Sequence, residues 1–153
     1  MDRSELERLD FSGCASCISF NLRRATRSVT QLFDDFMRPS GLLSTQFTLL
    51  VGIVTHGSAT INRLADSLGM DRTTMSRNLR PLEKMGLIDI LAGKDRRTRV
   101  VIATDQGRET LHIAYPLWKQ AQSQMIEVLG SDRSDRLLSD LAMAIHATQS
   151  QPA

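Results

Sequence analysis

The 153-residue sequence has only two cysteines, Cys14 and Cys17. It also has no apolar run that approaches the ~20 residues needed to cross a bilayer. Two cysteines so close together do not make the disulfide framework of a secreted fold, and they fit a reducing compartment. The first ten residues, MDRSELERLD, are polar and acidic, unlike a secretory signal. These absences predict a cytoplasmic protein without a membrane partner.

Neither basic nor acidic residues are in strong excess. The sequence has 19 Lys and Arg and 17 Asp and Glu, which give a formal net charge of +2. That balance alone does not predict a nucleic-acid partner. Residues 63–99, however, hold nine basic and five acidic side chains, a local net charge of +4, while the rest of the chain has a net charge of −2. With 41% apolar residues, the length fits a single domain over residues 1–153 with a basic middle segment.

Apolar residues recur with alternating steps of four and three near both ends of the sequence. In about residues 16–38 this spacing predicts a long helix with one face that needs a partner. A second such pattern runs through about residues 105–148, where Thr104 is placed to cap a helix and Gly130 to interrupt it. Both regions are predicted to be dimerisation helices.

The middle segment, about residues 44–104, has the pattern of a helix-turn-helix followed by a hairpin. Ser44, Ser58 and Asp71 are each placed to cap a helix with an apolar stripe, and a tight glycine-containing turn joins the last two helices. Two runs rich in aliphatic residues, LIDILAG and TRVVIAT, then flank a charged tip. The expected fold class is mainly α with a small β-hairpin wing: a winged helix-turn-helix DNA-binding lobe between N- and C-terminal dimerisation helices.

The second helix of that pair turns its polar side chains away from the stripe Met75, Leu79 and Leu82. An α-helix fits the major groove of DNA, where arginine binds guanine bidentately and threonine meets a thymine methyl group or a phosphate. Thr73 and Arg77 are the first choices for base contacts, although a solvated helix face without a partner is the alternative. The DNA-binding residues predicted on this helix are Arg72, Thr73, Thr74, Ser76, Arg77 and Arg80.

The tip of the hairpin reads KDRRTR, a cluster that has no role in a core and repels itself without an anionic partner. Arg97 is the candidate for insertion into the minor groove, where negative potential is concentrated. A carboxylate facing phosphate would weaken binding, so Asp95 is predicted to pair with an arginine and to orient the wing. The DNA-binding residues predicted on the wing are Lys94, Arg96, Arg97 and Arg99.

The stretch DRRTRVVIATDQG, which contains Asp95, Arg97, Thr104 and Gly107, resembles the wing signature of MarR-type regulators. INRLADSLGMDRTTMSRNLRPLEKMGLI resembles their helix-turn-helix, and the resemblance covers roughly residues 17–148. It implies a homodimer, joined through its terminal helices, that binds double-stranded operator DNA of palindromic sequence. Many such regulators repress genes and leave DNA when a small anionic aromatic compound or an oxidant arrives, which implies an effector of one of these kinds.

Two kinds of sensor are consistent with the residues. Cys14 and Cys17 form a CxxC pair, which can be a redox couple, supply two metal ligands or stay inert. Because the three histidines are scattered, no metal and no cofactor is predicted, and the two cysteines are candidate redox-sensing residues. A ligand pocket between the outer helices and the DNA-binding lobe is the other candidate. Residues of suitable type for it, equally explained by ordinary packing, are Phe20, Arg24, Arg27, Phe47, His56 and Trp118.

Three functions are to be distinguished: a DNA-binding regulator, a CxxC redox-responsive protein and a winged-helix module that binds only protein. An enzyme would need a thiol-bearing fold and convergent acid and base groups, and neither is present in the sequence. A protein-binding module has no use for a basic wing and a basic helix in one lobe, whereas DNA binding uses both. The sequence therefore predicts a non-enzymatic, DNA-binding transcription regulator, with repression as its expected effect.

Overall fold

The computed structural model describes residues 9–93, 95 and 98–149. Two short 3-10 segments, Ser12–Ser16 and Arg38–Ser40, precede and follow the first long helix. The longer elements are α1 (Ile18–Met37), α2 (Ser44–His56), β1 (Ala59–Thr60), α3 (Ile61–Ser67), α4 (Arg72–Lys84), β2 (Ile88–Ala92), β3 (Arg99–Ala103), α5 (Asp105–Leu129) and α6 (Ser131–Gln149). The mainly helical fold with a small β-hairpin wing is confirmed.

Two helix starts follow the local pattern of the sequence. Asp71 caps α4, where its carboxylate accepts a hydrogen bond from the Thr74 amide at 2.9 Å. Thr104 caps α5, where its hydroxyl oxygen accepts from the Gly107 amide at 3.0 Å. Both bonds satisfy an amide that has no partner inside its own helix. The predicted caps of these two helices are confirmed.

Two other predicted caps were wrong, one because a side chain on another helix bonds to the start of α2 and one because α3 begins later than predicted. Ser44 is the first residue of α2 rather than its cap, and its amide donates to the carboxylate of Asp34 on α1 at 2.6 Å. The cap of α3 is Thr60 rather than Ser58, and the Thr60 hydroxyl accepts from the Arg63 amide at 3.2 Å. Helix α3 begins late because β1 first pairs with the wing.

The sheet has the order β1, β3, β2, and all its pairs are antiparallel. Ile88 lies opposite Ala103 and Ala92 opposite Arg99, so β2 and β3 form the predicted hairpin. On the other edge of β3, Ala59 pairs with Val101. The sequence prediction missed β1, because two residues are too few to show the alternation of a strand. The pairing fixes the start of α3 beside the base of the wing.

The buried core is concentrated in the middle segment, about residues 44–104, which we call the lobe. Met75, Leu79 and Leu82 on α4 are each 0% exposed, which confirms the predicted apolar stripe. No polar or charged residue is buried among those that the structure describes. The largest fully buried side chains are Met37, Leu42, Leu50, Ile53, Leu64, Met75, Leu79, Leu82, Leu87, Ile88 and Val101. Helices α2 to α4 and the sheet therefore share one core, which Met37 of α1 and Ala114 of α5 complete.

The outer helices α1, α5 and α6 leave large apolar side chains in solvent. Ile18 on α1 and Val128 on α5 are each 74% exposed, and Leu138 on α6 is 61% exposed. The three helices also border an apolar groove of about 340 Å³. No helix in the described ranges combines the length and the apolar character that crossing a membrane requires. Exposed apolar side chains on neighbouring helices are typical of an interaction surface.

A close backbone contact joins the lobe to α5. The Thr104 hydroxyl donates to the carbonyl of Gly86 at 2.7 Å, and the Thr104 amide donates to the carbonyl of Leu87 at 3.1 Å. Gly107 packs against the carbonyl of Leu87, and a Cβ at position 107 would be 2.1 Å from the Leu87 oxygen. Only a residue without a side chain fits there. The turn after α4 is thus fixed against the first turn of α5.

Candidate nucleic-acid interface

The outward face of α4 is basic and rich in hydroxyl groups. Its apolar stripe is fully buried in the lobe, so the remaining side chains lie on the solvent side of the helix. The predicted DNA-binding residues Arg72, Thr73, Thr74, Arg77 and Arg80 are exposed, and Ser76 is half-buried. None of the three arginines has an ion-pair partner in the described part of the chain. The face offers uncompensated positive charge to a polyanion.

The start of α4 is held by a tight local network. The hydroxyl of Thr74 donates to the carboxylate of Asp71 at 2.6 Å, and the Thr74 amide donates to it at 2.9 Å. These two bonds, the hydroxyl bond first, lower the pKa of Asp71, so the cap remains an anion at the positive end of the helix. The Thr74 hydroxyl has donated its hydrogen, which leaves its methyl group and lone pairs for a ligand.

The wing projects from the sheet beside α4. At its tip the carbonyl of Asp95 accepts from the amide of Thr98 at 2.9 Å and from its hydroxyl at 2.8 Å, and the Gly93 amide donates to the Thr98 carbonyl at 3.0 Å. The Asp95 backbone therefore orders the turn, while pairing of its carboxylate with an arginine stays a prediction. Arg99 is exposed at the base of the wing. The predicted residues Lys94, Arg96 and Arg97 lie outside the described residues.

A small cavity of about 60 Å³ opens where α3, α4 and β3 meet. Arg72 and Arg99, predicted from separate stretches of sequence, both line it. Asn62 lines it as well. The sequence prediction missed Asn62, because only the pairing of β1 with β3 brings α3 to this place. The complete lining is Thr60, Ile61, Asn62, Arg72, Thr98 and Arg99.

Comparison with known proteins decides the family. The family model described as the MarR family matches residues 42–98. The structure also aligns, with a TM-score of 0.77, to the transcriptional regulator MosR of M. tuberculosis, solved in complex with DNA. That protein is 36% identical, and the alignment covers 86% of this chain and 98% of MosR. The chain belongs to the MarR family. It is a winged helix-turn-helix transcription regulator and not an enzyme.

Two further relatives of this MarR-family chain agree. The transcriptional repressor CouR, solved on a 23-mer DNA duplex, is 29% identical, with a TM-score of 0.77 and coverage of 90% of this chain and 98% of CouR. CouR has also been solved bound to p-coumaroyl-CoA. An uncharacterized HTH-type transcriptional regulator of Bacillus cereus is 29% identical over 131 residues, which cover 86% of this chain and 88% of that protein. All three comparisons concern transcription regulators.

The two cysteines of this MarR-family chain lie at the start of α1. Both are free and exposed, and the Cys17 amide donates to the Cys14 carbonyl at 3.1 Å, which closes one 3-10 turn. Such a turn keeps the two Cα atoms within ~7 Å, close to the range of a disulfide. The side-chain amide of Asn21 donates to the carbonyls of Ala15 and Cys17 at 2.8 and 3.0 Å, so the turn is tied to α1. The described residues contain no cluster of three or more metal-ligating side chains.

Some of the residues predicted to suit a ligand pocket come together, and others do not. The rings of Phe47 and Trp118 stack at 6.0 Å between centroids, and Tyr115 extends the stack at 5.7 Å from Trp118. His56 instead lies 2.8 Å, through Nδ1, from the carbonyl of Gly52 in its own helix. The remaining three predicted residues are exposed on the first half of α1: Phe20, Arg24 and Arg27. The aromatic stack joins the lobe to α5.

Proposed function

We propose that this MarR-family chain is a cytoplasmic, sequence-specific repressor that binds a palindromic operator as a homodimer. A small molecule or an oxidant then releases it from DNA. The observation that carries the proposal is the exposed basic face of α4, which stands opposite a fully buried stripe and beside Arg99 of the wing. This geometry suits a helix in the major groove with the wing alongside it. The DNA complexes of MosR and CouR support DNA binding by this chain.

The homodimer is supported by the exposed apolar faces of the outer helices. Ile18, Val128 and Leu138 lie on three different helices, and a single chain leaves each of them in solvent. A second copy would cover these side chains and would place two α4 helices on one DNA duplex. Two-fold symmetry of the protein then requires two inverted half-sites in the operator.

The proposed function is tested by fluorescence anisotropy with DNA from the intergenic region next to the gene. We expect tight binding to one inverted repeat, with affinity that falls steeply as salt rises, because bound cations release counterions from the phosphates. A shuffled duplex of the same length and composition is the control, and it should bind at least ~10³-fold more weakly. Equal affinity for both duplexes would refute a sequence-specific regulator.

Arg77 is expected to carry base recognition. Arg77→Ala should weaken operator binding by about 1–3 kcal/mol and relax the preference at one base pair of each half-site, because arginine reads guanine through two hydrogen bonds. Affinities for a set of operators with single base changes provide the measurement. Arg133→Ala, which removes the same exposed charge on α6, should leave both affinity and preference unchanged. Equal losses on every operator would instead assign Arg77 to a phosphate.

Oxidation of the cysteine pair is one proposed release step. One thiolate attacks hydrogen peroxide, which yields a sulfenic acid and, after protonation, one water. The second thiol displaces the sulfenic oxygen as another water, and a disulfide forms between Cys14 and Cys17. The pair loses two electrons and peroxide gains them. The exposed turn supports this step, because both thiols are free and Asn21 couples the turn to α1.

Release by oxidant is expected to require both cysteines. Peroxide should lower the operator affinity of the unmodified protein, a thiol reductant should restore it, and Cys14→Ser and Cys17→Ser should each keep their affinity in peroxide. Anisotropy and the number of free thiols are measured on the same samples. If the variants lose affinity as the unmodified protein does, the cysteines are not the sensor. Release by a salicylate-type aromatic acid alone would favour a ligand pocket, as the p-coumaroyl-CoA complex of CouR suggests.

A further inference from the structure

The cavity bordered by α3, α4 and β3, which we name the basic notch, has the size and chemistry of a site for one anionic group. Its volume of about 60 Å³ is roughly twice the ~30 Å³ that a water molecule occupies in the liquid. The lining comes from three separate stretches of the chain: the junction of β1 and α3, the first residue of α4, and the start of β3 with the residue before it.

The charged side chains of the basic notch are not neutralised by the protein. Arg72 and Arg99 form no ion pair in the described part of the chain, and the side-chain amide of Asn62 makes no hydrogen bond there. The neighbouring carboxylate of Asp71 is engaged by Thr74 at the cap of α4. Two like charges side by side repel each other unless an anion lies between them. Among the described residues, no carboxylate therefore neutralises the two guanidinium groups of the notch.

The remaining side chains of the basic notch are partly used by the fold. The hydroxyl of Thr98 donates to the Asp95 carbonyl at 2.8 Å, and the hydroxyl oxygen of Thr60 accepts from the Arg63 amide at 3.2 Å. The donors left for a bound group are consequently the two guanidinium groups and the amide of Asn62. Guanidinium groups hold phosphate oxygens through paired hydrogen bonds, which favours a phosphate over other anions.

We infer that the basic notch binds one backbone phosphate of the operator in each half-site, through Asn62, Arg72 and Arg99. The inference rests on the proposed function, because it places α4 in the major groove and the wing toward the minor groove. A sugar-phosphate strand separates these two grooves, and the notch lies between the start of α4 and the base of the wing. A phosphate contact carries no base information but fixes the register of the protein on the duplex.

The experiment uses operator duplexes in which one phosphate at a time is replaced by a neutral methylphosphonate. With the unmodified protein, one linkage in each half-site should be sensitive to replacement and should lower affinity roughly 10-fold or more, because charged hydrogen bonds are lost. Arg72→Gln, Arg99→Gln and Asn62→Ala should each bind the unmodified operator more weakly. They should also lose the sensitivity at that linkage while keeping it elsewhere.

The control is Arg133→Gln on α6, which makes the same change outside the lobe and should preserve the full sensitivity map. The salt dependence gives a second readout: each phosphate contact contributes a slope of ~0.9, so the arginine variants of a dimer should lose up to about two. If the three notch variants keep the sensitivity of the wild-type chain at every linkage, the inference is wrong. The inference would also be wrong if the notch variants lost base preference but kept the wild-type sensitivity to each phosphate replacement.

A free anion is the other source of the same chemistry. If inorganic phosphate displaces operator from the unmodified protein more than chloride does at equal ionic strength, and no linkage is individually sensitive, the notch binds free phosphate and the inference fails. Failure of the proposed function is distinguishable, because the unmodified protein would then show no preference for the operator over the shuffled duplex.

Discussion

Gly107→Ala is expected to lower the free energy of unfolding by about 1–3 kcal/mol, the usual cost of overpacking. The added Cβ would lie 2.1 Å from the carbonyl oxygen of Leu87 and 3.0 Å from its carbonyl carbon. Both neighbours are backbone atoms, so no side-chain rotation relieves the contact. Alanine favours a helix over glycine by up to ~1 kcal/mol, which offsets only part of the cost. Urea unfolding followed by circular dichroism gives the measurement.

Gly52→Ala is the matched control for this prediction. Gly52 also lies within a helix, but its added Cβ would be 3.6 Å from Cδ1 of Leu68, an ordinary van der Waals distance. This variant should be as stable as the unmodified chain or more stable by up to ~1 kcal/mol. If Gly107→Ala proved as stable as Gly52→Ala, α5 would be free to move away from the turn after α4. The contact would then not fix the angle between the lobe and the outer helices.

The parts of the fold that were predicted correctly depend on near neighbours in sequence. The stripe of α4 follows helical periodicity, and Asp71 and Thr104 bond to amides three residues further on. The features that were missed depend on residues far away in the sequence. The cap of α2 involves Asp34, ten residues away, and β1 exists only because Ala59 and Thr60 meet β3. A local pattern cannot reveal partners that the tertiary fold supplies.

In the candidate site, too, local features could be predicted and tertiary contacts could not. The exposure of Arg72, Arg77 and Arg99 follows from which positions are apolar. Their meeting with Asn62 does not, because it depends on how the sheet docks α3 against the wing. The resemblance to MarR-type regulators singled out Gly107 without a physical reason. The structure supplies one, because the Leu87 carbonyl occupies the space that a side chain would need.

Leu138→Asp is expected to convert the proposed dimer into a folded monomer. Leu138 is 61% exposed within its own chain, so the new carboxylate should stay hydrated and the monomer should keep its helix content. In a dimer that covers this face, each copy would bury an unpaired charge, which costs several kcal/mol per ion. Light scattering gives the mass. Operator affinity should fall by 10²- to 10⁴-fold, because the two half-sites are then bound independently.

Ser139→Asp is the matched control, because the same charge then lies on a different face of α6. Ser139 is exposed, and at about 100° per residue it points roughly 160° away from Leu141, which lines the apolar groove. Leu141 itself is half-buried, so its replacement would mix lost folding with lost association. If Leu138→Asp stays dimeric, α6 is not the dimerisation surface. If it is monomeric yet binds the whole operator as tightly as before, each lobe reads DNA alone, and the exposed apolar faces serve another partner.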